Sequence, residues 1–342
     1  RVGKRSLVTS RRRCASAGCC DSTLRKLASN IVTSFIGDTA VTVAVDVPPL
    51  KASLLIIRAA NSLKKPETPA RMAQVQPFSF KARDGRTLYG YMTVPRGKSK
   101  GLPTIIHPHG GPIGIRDDWG FNWENQLLAS RGYLVVQVNF RGSGGYGKAF
   151  EDAGHGEWGR KMQDDLTDAT HWVVDQGYAD PKRMCIYGAS YGGYASLEGA
   201  AREPGLYQCA AGYVGVYDLN MMFREGDISE RDSGQRFLKR TLGADANERR
   251  RRSPAFLADQ IRVPVFLAAG LKDVRAPYQH TEAMRDALKA AGHPADVVIL
   301  QPNEMHGFYD EDANLNLYTK MLGFFDKYIG ADATPAAGAG TH

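Results

Sequence analysis

Three residues of the types that together cleave acyl bonds follow one another in the second half of the chain: Ser190, Asp273 and His306. A serine hydroxyl is a poor nucleophile at neutral pH, so it needs a base within hydrogen-bond reach. A histidine base in turn needs an acceptor that fixes its tautomer, and an aspartate supplies one. Ser190 is therefore the candidate nucleophile, His306 the general base and Asp273 the acid that orients it.

Ser190 stands in a match to the pattern G-x-S-x-G, with Gly188 and Gly192 as the outer positions. The apolar run RMCIY precedes the motif, and a helix-like stretch rich in small residues follows it. So tight a turn between strand and helix needs flanking glycines and pushes the serine side chain clear of the backbone. The pattern also arises by chance in a chain with 37 glycines. One alternative is therefore a glycine-rich turn whose serine only caps a helix.

The candidate base and acid each follow an apolar run of strand length. His306 lies in PNEMHGF just after DVVILQP, and Asp273 lies in GLKDVRAP just after VPVFLAAG. Open α/β sheets collect their ligand sites at the carboxyl ends of strands, so both positions suit a shared site. Other histidines and aspartates fit less well, because they precede the nucleophile, lie in or after a helix, open a strand or trail the base: His107, His109, His280, His293, Asp296 and Asp310.

Acyl transfer also needs hydrogen-bond donors for the oxyanion of the tetrahedral intermediate. The segment His109-Gly110-Gly111-Pro112 follows the apolar run TIIHP, and its glycines allow backbone N–H groups to face the site. We assign the donors to the backbone amides of Gly111 and Tyr191. The alternative is an incidental Gly-Gly-Pro turn.

The elements that must position these residues predict an α/β-hydrolase fold. FSFKA (78–82) and TLYGYMTV (87–94) flank Asp84-Gly85, a dipeptide typical of tight hairpins. Six unbroken apolar runs then alternate with helix-length segments, as in a parallel sheet covered on both faces. Two strands and six make an eight-stranded, mostly parallel sheet between helices. Helices are predicted at 123–130, 164–176, 194–202, 278–292 and 316–329, with further helices inserted over the site between Asp218 and Pro254.

Charge and patterning divide the chain near Met72. Residues 1–71 hold 13 Lys and Arg against 4 Asp and Glu, whereas residues 72–342 hold 31 against 32. The net charge of +8 thus belongs to an irregular basic segment, which more often solvates a tail than binds nucleic acid. Residues 72–330 form the predicted hydrolase domain, and 331–342 a disordered tail. The chain begins with Arg, which leaves open whether it is a fragment of a longer protein.

Several binding and targeting classes find no support in the sequence. No stretch approaches 18 consecutive apolar residues, so no membrane association is expected. The segment CASAGCCDST after Arg11–Arg13 is too polar for a signal peptide, which favours the cytoplasm. Cys19 and Cys20 lack metal-site spacing, and Cys185 and Cys209 fit buried free thiols, so neither a zinc site nor a disulfide framework is indicated.

One further motif competes with this interpretation. GSGGYG (142–147) matches the dinucleotide pattern G-x-G-x-x-G after the run YLVVQVNF. A dinucleotide loop must run straight into a helix, yet Gly154, Gly156 and Gly159 interrupt the segment after the motif. We therefore expect no organic cofactor and no metal.

Six separated motifs occur in order over residues 75–330: HPHGGP, NFRGSGGYG, WG followed by DD (158–165), GASYGGYAS, DVRAP and MHGF. Together they resemble the prolyl oligopeptidase family of serine peptidases, in particular its acylaminoacyl-peptidase and dipeptidyl-peptidase branch. The resemblance implies hydrolysis of short peptides, with Ser190, Asp273 and His306 as the triad. It leaves open the substrate side chain, the mode of cleavage and whether the chain forms a homo-oligomer.

The chain departs from the family in three places. Some members place a tyrosine hydroxyl in the oxyanion hole where this sequence has His109, so here the hole should consist of backbone amides. DVRAP has Ala276 where the family often has valine. Members usually carry an N-terminal β-propeller, which 71 residues are too few to form. A carboxylesterase of the same fold, and an inactive fragment or binding module, are therefore the alternatives to a peptidase.

Overall fold

The computed structural model describes residues 31–36, 39–44, 72–97, 99–331 and 333. The chain divides into two units, Arg1–Leu55 and Ile56–His342. In the first unit, strands β1 (Ile31–Ile36) and β2 (Thr39–Ala44) pair antiparallel. They lie within the basic segment that we expected to be irregular. The other residues of that segment up to 71, and nearly all of the predicted tail, lie outside the described residues.

In its described residues, the second unit contains one eight-stranded sheet. Its strands, in chain order, are β3 (Gln74–Lys81), β4 (Thr87–Val94), β5 (Leu102–Ile106), β6 (Leu134–Asn139), β7 (Ala179–Ala189), β8 (Cys209–Tyr213), β9 (Val265–Gly270) and β10 (Val297–Gln301). Their spatial order is β10-β9-β8-β7-β5-β6-β4-β3. Neighbours from β10 to β6 run parallel, and β4 and β3 add an antiparallel edge. The predicted α/β-hydrolase fold is confirmed.

The strands form where the sequence predicts them. Every residue of β6, β8 and β9 is buried, because helices cover both faces of the sheet, and this explains the runs without polar alternation. The opening hairpin turns at Asp84-Gly85, where Gly85 has a φ of 83° that suits glycine. Its two strands pair in register from Gln74 opposite Val94 to Lys81 opposite Thr87.

Eight α-helices complete the described part of the second unit. They are α1 (Trp123–Ser130), α2 (Lys148–Asp152), α3 (Lys161–Asp175), α4 (Tyr191–Arg202), α5 (Asp232–Leu242), α6 (Ala246–Arg250), α7 (Gln279–Ala290) and α8 (Glu311–Ile329). The five predicted helices are all present, and α5 and α6 occupy the predicted insert. Among the described helices, none combines the length and apolar content that crossing a bilayer requires.

Helix α4 is the central element of the core, with eleven of its twelve residues buried. Small side chains let it approach the sheet closely. A Cβ added at Gly193 would lie 3.0 Å from Gly215 Cα and 3.2 Å from the Tyr213 carbonyl oxygen. Since α4 begins directly after Ser190 and three residues earlier than predicted, this packing fixes the backbone that follows the candidate nucleophile.

The two cysteines that we interpreted as free thiols are paired. Cys185 lies on β7 and Cys209 on β8, directly opposite each other in the register of the two parallel strands. Their Cα atoms are 4.7 Å apart, and the side chains form a disulfide. The interpretation as free thiols was therefore wrong, because strand register, which spacing along the chain does not reveal, brought the two residues together.

Glu198 is a glutamate enclosed in the core. It lies on α4 with its side chain fully buried, and neither carboxylate oxygen has a hydrogen-bond partner in the described part of the chain. Burial raises the pKa of this carboxyl to about 8, although the positive charges of Arg202 and Arg252 oppose the shift. The group is therefore a neutral acid at pH 7, which avoids the cost of an unpaired buried charge.

This shift makes folding stability depend on pH. Between about pH 4.5, where glutamate ionises in an unfolded chain, and about pH 8, only the unfolded state loses this proton. The free energy of unfolding should therefore fall as pH rises, by up to about 1.4 kcal/mol per pH unit from this group. Glu198→Gln, which does not ionise, should remove this part of the slope in urea unfolding measured from pH 5 to 8.

The matched control for this prediction is Glu282→Gln. Glu282 is a partly exposed glutamate on α7 that pairs with Arg285. This substitution should leave the pH slope almost unchanged, because exposed ion pairs contribute little to the free energy of unfolding. Equal slopes for the wild type and Glu198→Gln would show that Glu198 is charged in the folded state.

Candidate active site

Ser190 occupies a strained turn between β7 and α4. Its backbone has φ 58° and ψ −119°, a conformation that costs a residue with a side chain about 1–3 kcal/mol. The side chain makes no hydrogen bond that caps α4. The alternative in which Ser190 serves only as a helix cap is therefore wrong, since a capping serine accepts a hydrogen bond from the first turn.

The glycines beside Ser190 are required by close packing. A Cβ at Gly188 would lie 2.7 Å from the Pro108 carbonyl oxygen and from Gly192 Cα, and a Cβ at Gly192 would overlap the same carbonyl oxygen. The segment after β5 therefore presses directly on the turn. These contacts explain why the motif needs glycine at both outer positions, and they hold the serine at the end of β7.

His306 and Asp273 form a hydrogen-bonded pair. The two loops after β10 and β9 bring His306 Nδ1 within 2.8 Å of Asp273 Oδ2. The Asp273 carboxylate is buried, and its Oδ1 atom accepts the backbone N–H groups of Arg275 (2.8 Å) and Ala276 (2.9 Å). A carboxylate held in this way accepts a hydrogen bond from the Nδ1–H group, which leaves His306 Nε2 as the atom that takes up a proton.

The sheet places all three side chains at one edge. Ser190 follows β7, Asp273 follows β9 and His306 follows β10, and these parallel strands lie in the order β7-β8-β9-β10. Within the described residues, no hydrogen bond joins the Ser190 hydroxyl to His306. Such contacts are often long in unliganded enzymes and shorten when substrate binds.

The insert between Asp218 and Pro254 contacts the loop that carries Asp273. The Asp227 N–H donates to the Val274 carbonyl oxygen at 2.8 Å, and the Asp227 carboxylate accepts two hydrogen bonds from the Arg275 guanidinium. The sequence predicts helices over the site but not this link. Its one signal was the basic residue in DVRAP, directly after the candidate acid.

The segment assigned to the oxyanion hole lies against the nucleophile turn. A Cβ at Gly110 would lie 3.5 Å from Ser190 Cβ, and Gly111 has a φ of 111° that suits only glycine. Tyr191 is the first residue of α4, so its N–H has no acceptor within the helix. Both assigned amides thus belong to segments next to Ser190, although their aim at an oxyanion stays a prediction.

His109 is buried and has a structural role. Its ring is buried against Phe140, with Nδ1 2.7 Å from the Gly110 carbonyl oxygen and Nε2 2.8 Å from the Ser143 hydroxyl. Burial lowers the pKa of the imidazole. Because both ring nitrogens are occupied, His109 does not replace the tyrosine hydroxyl that some family members use.

Two other histidines are also held inside the protein. His107 Nδ1 lies 2.8 Å from the Tyr187 carbonyl oxygen. His280 Nδ1 accepts the backbone N–H groups of Tyr217 and Asp218 at 3.2 and 3.3 Å, and burial lowers the pKa of His280 to about 3. His280 is therefore a neutral acceptor that fixes the backbone after β8, and His306 stays the candidate base.

The GSGGYG segment leads into α2, a helix of only five residues, as the interrupting glycines predicted. Its glycines contact the loop after Gly111: the Gly114 N–H donates to the Gly142 carbonyl oxygen (2.9 Å) and the Gly144 N–H to that of Ile115 (3.0 Å). The motif thus supports the candidate oxyanion segment. No group of three or more metal-ligating side chains occurs among the residues with described positions.

The chain is similar to several known proteins. The model of the prolyl oligopeptidase family matches residues 119–332. Dipeptidyl aminopeptidase BIII from Pseudoxanthomonas mexicana is 37% identical over 76% of this chain and 39% of its own length. Dipeptidyl peptidase family member 6 from Caenorhabditis elegans is 31% identical over 75% of this chain and 38% of its own length.

A solved structure shows the same architecture. The acylaminoacyl peptidase of Pyrococcus horikoshii superposes with a TM-score of 0.69 and 26% identity, covering 76% of this chain and 42% of that one. The chain thus spans about two fifths of the length of the relatives it matches. The family match covers more than half of the chain and includes the turn at Ser190 and the Asp273–His306 pair. The chain belongs to the prolyl oligopeptidase family of peptidases.

Proposed function

We propose that this chain carries the catalytic centre of a serine peptidase that hydrolyses short peptides through an acyl-enzyme on Ser190. The observation that carries the proposal is the hydrogen bond between His306 and the buried Asp273, at the sheet edge where Ser190 stands in its strained turn. The peptide class is supported by relatives whose names describe a dipeptidyl aminopeptidase and an acylaminoacyl peptidase.

The proposed reaction proceeds in two halves. Ser190 Oγ attacks the amide carbonyl carbon while His306 Nε2 takes the hydroxyl proton, and Asp273 stabilises the imidazolium. The amides of Gly111 and Tyr191 donate to the oxyanion. The C–N bond then breaks as His306 returns the proton to the leaving amine, which leaves an acyl group on Ser190. In the second half, water attacks the acyl carbon as His306 takes its proton, the ester bond to Ser190 Oγ breaks, and His306 returns the proton to that oxygen as the acid product leaves.

Labelling of Ser190 tests the nucleophile directly. A fluorophosphonate probe should modify the purified wild-type protein at this serine, and Ser190→Ala should abolish both labelling and peptide turnover. The control is Ser130→Ala at the end of α1, where the serine hydroxyl donates to the Leu127 carbonyl oxygen; this variant should retain both labelling and turnover. Turnover that survives in Ser190→Ala would contradict the mechanism, and a wild type without labelling would favour an inactive binding module.

The role of Asp273 predicts a large kinetic effect with little loss of folding. Asp273→Asn offers an amide to Nδ1 and so favours the wrong tautomer, which should lower kcat by about 10³- to 10⁴-fold. Asp286→Asn, at an exposed aspartate on α7, should change kcat by less than about twofold. Steady-state kinetics together with thermal unfolding would check both variants. A loss below tenfold in Asp273→Asn would contradict the assignment of the acid.

The same triad also cleaves esters, so substrate class needs its own measurement. Aminoacyl and dipeptidyl anilides should be hydrolysed by the wild type, with kcat/KM compared against nitrophenyl esters of the same acyl groups. Hydrolysis of both classes supports a peptidase, because esters are the easier substrates. Hydrolysis of esters alone would establish the carboxylesterase alternative.

A further inference from the structure

Glu304 stands two residues before His306, and its side chain is not exposed at the surface. Only 4% of the residue is accessible to solvent, which is unusual for glutamate. One carboxylate oxygen accepts the backbone N–H of Tyr309 at 2.6 Å, and the other accepts that of Asp310 at 3.1 Å. The carboxylate therefore bridges the loop that contains His306, because it joins residue 304, before the histidine, to the backbone of residues 309 and 310, after it.

The loop is anchored at three successive amides. The Phe308 N–H donates to the Tyr213 hydroxyl at the end of β8, and the next two N–H groups donate to Glu304. Within the loop, the Gly307 N–H donates to the Met305 carbonyl oxygen at 2.8 Å, which turns the chain sharply around His306. Buried side chains thus hold the backbone directly after the imidazole.

Glu304 also joins the His306 loop to the Asp273 loop. Its carbonyl oxygen accepts the N–H of Lys272, the neighbour of Asp273, at 2.9 Å. Gly270, at the end of β9, lies so close that a side chain there would overlap the Glu304 carbonyl group. The backbone at position 304 therefore contacts the Asp273 loop, while the Glu304 side chain holds the His306 loop, so this position joins the two loops that carry the candidate acid–base pair.

We propose that Glu304 is a positioning residue that sets the distance and angle between His306 and Asp273, and through them the aim of His306 Nε2 at Ser190. This inference rests on the proposed hydrolase function of the same site. A carboxylate suits the task, because each of its two oxygens accepts one of the two backbone N–H groups. A buried acceptor of two backbone N–H groups also prevents the loop from exchanging these bonds for water.

Glu304→Gln is the sharpest test. Glutamine keeps the shape, but it has one acceptor oxygen and turns an NH₂ group toward the second amide, so one anchor becomes repulsive. The second-order rate of fluorophosphonate labelling at Ser190, and kcat for an anilide substrate, should fall by roughly 10- to 100-fold. KM should change by less than about twofold, since Glu304 holds the base and not the substrate.

A spectroscopic readout tests the same point without turnover. The proton on His306 Nδ1 that is shared with Asp273 should give a downfield ¹H NMR resonance in the wild type, and His306→Gln identifies it. In Glu304→Gln this resonance should broaden or shift. If the proposed function is wrong, the wild-type protein should not react with the fluorophosphonate probe. The resonance would still report whether Glu304 positions His306 against Asp273.

Asp296→Asn is the matched control, because Asp296 lies at the opposite end of β10 and accepts from Lys327 at 3.0 Å. It should retain labelling, kcat and the resonance. Glu304→Asp, which keeps the charge but shortens the reach by one methylene, is the second variant if Glu304→Gln does not fold. Wild-type labelling rates in either folded variant would overturn the proposal. Failure of both to fold, with Asp296→Asn folded, would make Glu304 a residue of stability and would overturn it equally.

Discussion

The site depends on one constraint, the tight turn that carries Ser190 from the buried strand β7 into the buried helix α4. The turn holds a residue with a side chain at φ 58°, and the surrounding packing compensates for this strain. The Pro108 carbonyl presses on both flanking glycines, and α4 is buried along nearly its whole length. Because packing fixes the backbone on both sides of this turn, Ser190 does not adopt the conformation of an ordinary helix cap. Its hydroxyl therefore stays at the sheet edge where the other loops converge.

The loops after β9 and β10 are irregular segments, and together they must hold the His306 imidazole in a fixed position. Their backbone amides are accepted by buried side chains: Asp273 accepts those of residues 275 and 276, and Glu304 those of 309 and 310. Each carboxylate thus acts on a loop as a capping residue acts on a helix end. The parallel strands place the loops side by side, and these hydrogen bonds give each loop one conformation.

Much of this arrangement could be predicted from the sequence, for identifiable reasons. Buried parallel strands appear as unbroken apolar runs, so the eight strands and the loops after them could be located from patterning alone. The residues at those strand ends then included Ser190, Asp273 and His306. What could not be predicted depends on register or on burial. The pairing of Cys185 with Cys209 follows from which residues lie opposite each other on β7 and β8. Glu198 resembles a surface glutamate in the sequence, and only the packing of α4 shows that it is enclosed.

The polar groups that hold the site in place differ in their hydrogen bonds from the two atoms that exchange a proton in the proposed reaction. Both oxygens of Asp273 and of Glu304 are engaged, both ring nitrogens of His109 are occupied, and His280 accepts two backbone amides. Within the described residues, neither Ser190 Oγ nor His306 Nε2 has a protein group as hydrogen-bond partner. A group that must exchange a proton during a reaction has to give up its ground-state partners first, at an energetic cost. Because the atoms around Ser190 Oγ and His306 Nε2 are held by protein groups while these two are not, a reaction at them breaks no protein hydrogen bond, as a preorganised site requires.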